Sequence, residues 1–112
     1  ESIYATKQST KKEVFEFIEK ELIEAEKNLP TSWDATNMGR ATAWSAKALL
    51  GKTYLYDQKW ALAAEIFDEI ILSNNFNLLA DYESVFSKNN ENNSESLFEI
   101  QYAEGAGPSG FA

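Results

Sequence analysis

Side chains able to do chemistry are few in this sequence, and two common kinds are missing. The 112 residues contain neither histidine nor cysteine, which removes the usual general base, the usual zinc ligand, thiolate nucleophiles and disulfide frameworks. Carboxylates, amides and one arginine remain. Glu65, Asp68 and Glu69 lie close together, and paired carboxylates are the machinery of glycoside cleavage. That chemistry needs two carboxyl groups facing each other across an enclosed substrate, whereas neighbouring charges on one helical face are ordinarily solvated. Asn89, Glu91, Asn93 and Glu95 alternate through "NNENNSE" and offer oxygens to a hard cation. A calcium loop carries more carboxylates and a glycine at its turn, so a solvated loop with Glu95 fixing the entry to the next segment is preferred. Arg40, the single arginine, is expected to pair with a carboxylate of a neighbouring helix. These patterns predict no catalysis, no cofactor and no metal site.

Helices must do the positioning. Thr10 and Glu13 fit a capping box, Val14, Ile18, Leu22, Ala25 and Leu29 follow at helical spacing, and Pro30 closes the run, which predicts a first helix over 10–30. "PTSWDATNMG" reads as a loop with Trp33 as its one large apolar residue. Residues 41–73 predict a helical hairpin. Its first arm, to about Tyr56, is rich in Ala41, Ala43, Ala46, Ala48 and Gly51; its second carries Trp60, Ala63, Ala64, Phe67, Ile70 and Ile71 on one stripe. Trp44 and Trp60 read as packing residues. From 74 to 112 the pattern is a loop, one helical turn in "FNLLADYESVF", a short strand and the glycine-rich tail "EGAGPSGFA". The strand is "SLFEIQY", with Phe98, Ile100 and Tyr102 on one side and Leu97, Glu99 and Gln101 on the other. Nothing else in the chain reads as its partner, so that partner is expected in another chain or in sequence beyond this one.

Charge narrows the partners. The net charge is −8, and residues 60–112 hold nine acidic side chains against Lys88 alone. Such a surface repels phosphate backbones, so no nucleic-acid partner is expected. No apolar run approaches the ~20 residues of a membrane span, and "ESIYATKQST" lacks the features of a signal peptide.

Leu50, Gly51, Tyr54, Ala63 and Phe67 match five consecutive anchor positions of a tetratricopeptide repeat, although Lys47, Ile70 and Asn75 stand where that repeat prefers tryptophan, alanine and proline. Small residues at Gly51 and Ala63 would let the two arms touch, while Leu50, Tyr54 and Phe67 fill the hairpin. The hairpin alone suits a scaffold for protein partners equally well. The flanks are more specific: "GRATAWSAKALLGKTYLY", "WALAAEIFDEIILSNNFNLLADYESVF" and "NNSESLFEIQY", preceded by Leu29 and Pro30, resemble in order and spacing the SusD/RagB family of outer-membrane nutrient-binding lipoproteins.

The resemblance covers roughly residues 10–103 and implies a mainly α-helical fold in which residues 1–112 are part of a longer helical superstructure. It implies capture of a glycan or peptide nutrient for a TonB-dependent, SusC-like transporter, at the cell outer membrane and held there by a lipid anchor outside this chain. Sugar capture needs aromatic faces for pyranose rings, and Trp33, Tyr102 and Phe111 are the candidates. The repeat-type interaction scaffold is the alternative, and a glycosidase-like enzyme the weakest reading.

Overall fold

The computed structural model describes residues 6–102, and these are mainly helical. Three long helices, α1 (Lys11–Asn28), α2 (Ala43–Tyr56) and α3 (Trp60–Leu72), precede a single helical turn, α4 (Tyr82–Val85). Short 3-10 turns at Ala35–Asn37 and Lys88–Asn90 punctuate the two loops. α1 starts at the expected capping box: the Thr10 hydroxyl accepts the Glu13 N–H, and the Glu13 carboxylate accepts the Thr10 N–H, each at 3.2 Å. α2 starts later than its alanine pattern suggests because Thr42 forms the same reciprocal box with Ser45. The Ala43 N–H donates to the Pro30 carbonyl at 2.8 Å, so both ends of the intervening loop are pinned.

α2 is the central helix. On one side it meets α1, with Lys47 beside Glu26 and Thr53 beside Ile18; on the other it meets α3, with Lys47 beside Glu69 and Gly51 beside Ile66 and Phe67. Partner numbers fall as α2 numbers rise, so both neighbours run antiparallel to it. A helix packed on two sides cannot keep one narrow apolar stripe, and α2 buries Ala46, Leu50, Gly51, Thr53 and Tyr54 across an arc of roughly 160°. Leu50, Tyr54 and Ala63 form the core cluster, with Leu22, Ile66 and Phe67 packed against it.

Three expectations change. Gly51 faces Phe67 and Ile66 and not Ala63: a Cβ there would stand 2.6 Å from Phe67 Cε1 and 3.1 Å from Ile66 Cγ2. Ala63 packs one turn along, against Leu50 and Tyr54. The α3 stripe divides in two. Ala63 and Ile70 are buried, but Trp60 is 60 % and Ile71 69 % exposed, because at ~100° per residue Trp60, Ala64 and Ile71 cluster roughly 90° away from the Ala63–Ile70 line. Trp60 is therefore no core residue, whereas Trp44 is half-buried with its ring edge-on to Phe76 at 6.2 Å. Finally, no strand forms at 97–102 among the described residues. A strand is defined by its ladder, and no described segment supplies an edge. The alternation survives with the opposite sense to a buried apolar face: Leu97, Glu99 and Gln101 are half-buried and Phe98, Ile100 and Tyr102 exposed.

Two lysines join the helices. Lys47 reaches Glu26 at 3.1 Å and also bonds Glu69, linking all three long helices from the position where a tryptophan was preferred. Lys59 bonds the buried Glu19 at 2.6 Å and Asp57 at 3.3 Å. Glu69, and then Glu26, hold the Lys47 pKa above its ordinary value despite the opposing effect of burial; Glu19 foremost does the same for Lys59. Burial, then Glu19, pushes the Tyr54 phenol up. Groups with a raised folded pKa stabilise the fold fully below their unfolded value and lose that contribution as pH rises through the folded one. With ordinary values of 10.5 for lysine and 10.0 for tyrosine, melting temperature should hold through neutral pH and fall above about pH 10. Lys47→Met should flatten that fall in circular-dichroism melts, and an unchanged alkaline profile in the variant would remove Lys47 from the account.

Candidate functional site

The loop between α1 and α2 is built around Trp33. Its indole N–H donates to the Ala41 carbonyl at 2.7 Å, and the Arg40 guanidinium lies 5.8 Å from its ring centroid, a cation–π contact. Arg40 thus stacks on an indole, where a helix carboxylate was expected, and forms no salt bridge among the described residues. Asp34 caps the short turn that follows, accepting the Asn37 N–H at 2.9 Å. Gly39 then takes φ +96°, a conformation L side chains rarely adopt.

The segment after α4 is braced by asparagine, glutamine and glutamate side chains. The Asn92 and Gln101 amides pair reciprocally, both bonds at 3.0 Å, and Asn92 itself turns the chain at φ 54°. The Glu99 carboxylate accepts the Asn92 N–H at 3.1 Å, Asn93 donates to the Val85 and Asn90 carbonyls, and Glu95 accepts the Leu79 N–H at 2.9 Å. The Ser45 hydroxyl donates to the Leu97 carbonyl at 3.0 Å, which ties the segment to α2. The stretch expected to be a solvated loop is therefore braced by its own side chains. The Asn93 amide and one Glu95 carboxylate oxygen are bonded to backbone groups.

The two loops meet where Gln101 crosses Gly39, so closely that a Cβ on Gly39 would lie 2.5 Å from Gln101 Cγ. Between them opens a cleft of about 170 Å³ walled by Trp33, Arg40, Phe76, Asn92, Phe98 and Glu99. Aromatic faces beside a guanidinium, an amide and a carboxylate suit a hydroxyl-rich ligand. The volume is below the ~300–1,000 Å³ that encloses a drug-sized molecule, so the cleft fits one ring or the edge of a longer chain. Of the residues nominated from sequence, Trp33 lines this cleft; Tyr102 is exposed and is not part of its wall; Phe111 lies outside the described residues. Arg40, Phe76, Asn92, Phe98 and Glu99 were not nominated. Arg40 was one residue from a visible loop motif, but the reciprocal amide pair leaves no mark in a linear pattern.

A larger groove of about 720 Å³ runs between α1 and α2, floored by Leu22, Ala25, Ala46, Leu49 and Leu97. Its lining is the wrong chemistry for hydroxyls. Glu65 and Asp68 are exposed, and Glu69 is taken by Lys47, so the α3 carboxylates enclose nothing. Among the described residues there is no group of three or more acidic metal-ligating side chains, and no helix is long and apolar enough to cross a membrane.

The Gly39 crossing can be tested directly. Gly39→Ala should strain the left-handed turn and displace Gln101, costing about 1–3 kcal/mol, with amide exchange accelerating at 92–101 before it does in α2. Uniform acceleration across all helices would show that the crossing is not a local brace.

The described residues thus form an antiparallel helical scaffold that carries two interlocked loops with a mixed aromatic and polar cleft between them. No family model matches the chain. It is 33 % identical over 101 residues to a SusD-like protein of Bacteroides ovatus, covering 80 % of this chain and 18 % of that protein. It is 31 % identical over 80 residues to a SusD-like protein of Formosa agariphila, covering 71 % and 15 %. Its fold matches the crystal structure of a SusD-like protein from Bacteroides fragilis with a TM-score of 0.82 at 27 % identity, over 93 % of this chain and 22 % of that one. The chain belongs to the SusD-like family, and it spans roughly a fifth of the length of these relatives.

Proposed function

We propose that this chain is the helical scaffold portion of a cell-surface nutrient-binding component, one that captures a glycan or oligosaccharide and hands it to a TonB-dependent, SusC-like transporter. The observation that carries the reading is the 33 % identity to a SusD-like protein across 80 % of the chain. In this reading the family-length protein is held at the outer membrane by a lipid outside these residues, and its work is binding, not catalysis. α2 and α3 serve as a tetratricopeptide-type hairpin in which Leu50, Gly51, Tyr54, Ala63 and Phe67 set the spacing, and residues 96–102 gain a strand partner from the rest of the protein. Trp33, Arg40 and Glu99 are the ligand contacts of this portion, Trp33 offering a ring face and the other two hydrogen bonds, while Asn92, its amide paired with Gln101, holds the wall in place.

Titration calorimetry with a panel of neutral oligosaccharides tests this. Trp33→Ala should weaken the best ligand by up to about tenfold, since an aromatic contact is worth about 0.5–1.5 kcal/mol, while helicity is retained. Unchanged affinity in that variant would take the cleft out of ligand capture. The interaction-scaffold alternative draws on the exposed Trp60, Ala64 and Ile71 row of α3, and would be favoured if Trp60→Ala abolished a protein contact and left sugar affinity intact.

A further inference from the structure

The apolar groove on α1 and α2 does not end at Leu29 and Phe98. It shares Leu49 and Lys52 with a second depression of about 380 Å³, which in turn shares Lys11, Phe15 and Ile18 with a third of about 290 Å³. The three form one continuous seam from Leu29 to Val14, roughly 22 Å along α1. The seam is open: Leu49, near its middle, is 53 % exposed, and Val14, Tyr56 and Phe98 are exposed along it.

Its charge is opposite to that of the molecule. In a chain with 18 acidic residues, no carboxylate lines any of the three depressions; their only charged side chains are Lys11 and Lys52. Neither lysine forms a salt bridge among the described residues. Each instead lies over an aromatic ring of its own helix, Lys11 over Phe15 at 5.7 Å and Lys52 over Tyr56 at 5.9 Å.

We propose that this seam is the seat of an amphipathic helix whose apolar face fills the floor and whose flanking acidic residues meet Lys11 and Lys52, supplied by another part of the family-length polypeptide. An open, elongated apolar trough matches helix-in-groove recognition. A small-molecule site would enclose its ligand, and this one does not. The alanines and serine in the floor, Ala25, Ala46, Ala48 and Ser45, let a helix axis come close. The acidic flanks follow from charge complementarity with Lys11 and Lys52, the only charged side chains that line the seam. Only the source of the helix rests on the reading of this chain as one part of a longer protein. The preference for acidic flanks is tested separately.

The test uses the whole 112-residue chain, isotopically labelled, and two helical peptides of about 18 residues that share leucines at i, i+3, i+4 and i+7 and differ only in carrying glutamate or lysine on the flanks. The glutamate peptide should bind and shift the amides of Leu22, Leu49, Lys52 and Phe98, and the lysine peptide should bind at least about tenfold more weakly. Lys11→Glu with Lys52→Glu should reverse that order, and the comparison on the unaltered chain stands even if the double variant folds poorly. Equal binding of the two peptides would overturn the proposal. So would shifts confined to the Trp60 and Ile71 face, saturation of the seam by laurate but by neither peptide, or a concentration-dependent dimer that fills it. In a family-length polypeptide carrying this sequence the glutamate peptide should find the seat taken, and binding there to the same residues would overturn the assigned source.

Discussion

Leu50→Ala is expected to lower the unfolding free energy by about 2–5 kcal/mol. Leu50 is 1 % exposed, the one large side chain that is fully buried among the described residues, and its neighbours Leu22, Tyr54, Ala63, Ile66 and Phe67 come from all three long helices. Truncation therefore removes apolar contact on both sides of α2 at once, and three helices cannot all close on the void. A domain of this size has only about 5–15 kcal/mol in reserve. Thermal melts should shift downward by several degrees for each kcal/mol lost, about 4–8 °C in small domains. Leu49→Ala, the neighbouring substitution on an exposed residue of the same helix, should shift the melt by far less. Equal shifts would place the core elsewhere.

Gly51→Leu is the second large effect, and here two tendencies oppose each other. Glycine inside a helix is worse than a residue with a side chain by roughly 0.5–1 kcal/mol, so a side chain at 51 gains propensity. The first added carbon would already meet Phe67 Cε1 at 2.6 Å and Ile66 Cγ2 at 3.1 Å, and neither ring nor branched side chain can swing clear while α3 stays docked. Overpacking of this kind typically costs about 1–3 kcal/mol, which outweighs the propensity gain for leucine and, because the Cβ itself makes the close approach, offsets it for alanine as well. Gly51→Leu should therefore melt well below the unaltered chain and Gly51→Ala between the two. A leucine variant as stable as the parent would mean that the α2 and α3 register seen here is wrong.

Helix existence was legible because each helix carries its own signals. Thr10 with Glu13, the Leu29–Pro30 stop and the alanine run of α2 are local, acting within four residues, so a linear reading finds them. The Gly51 contact was legible in kind but not in partner. A small residue announces a close approach without saying whether it meets Ala63 or Phe67, since that depends on the rotation of α3 about its own axis. The same rotation decided that Trp60 and Ile71 face outward while Ala63 and Ile70 face in. Six apolar residues in one helix look like one stripe until a neighbour selects which part of it to cover.

The cleft was legible only through Trp33. Apart from Arg40, its other walls are Phe76, Asn92, Phe98 and Glu99, far along the chain, and the Gln101 and Asn92 amide pair over Gly39 that brings the last of them in is a long-range contact between polar residues, for which no periodicity exists. What the sequence by itself determined is therefore the three long helices, the start and stop of α1, the absence of histidine and cysteine side chains and the family resemblance, all of which depend on residue types and short spacings. The tertiary structure alone decided which apolar faces are spent, that Arg40 stacks on Trp33, that Lys47 joins three helices, and that two lysines line an otherwise apolar seam. Those outcomes depend on the relative rotation and docking of whole helices, which is governed by the packing of many side chains together and is carried by no one residue.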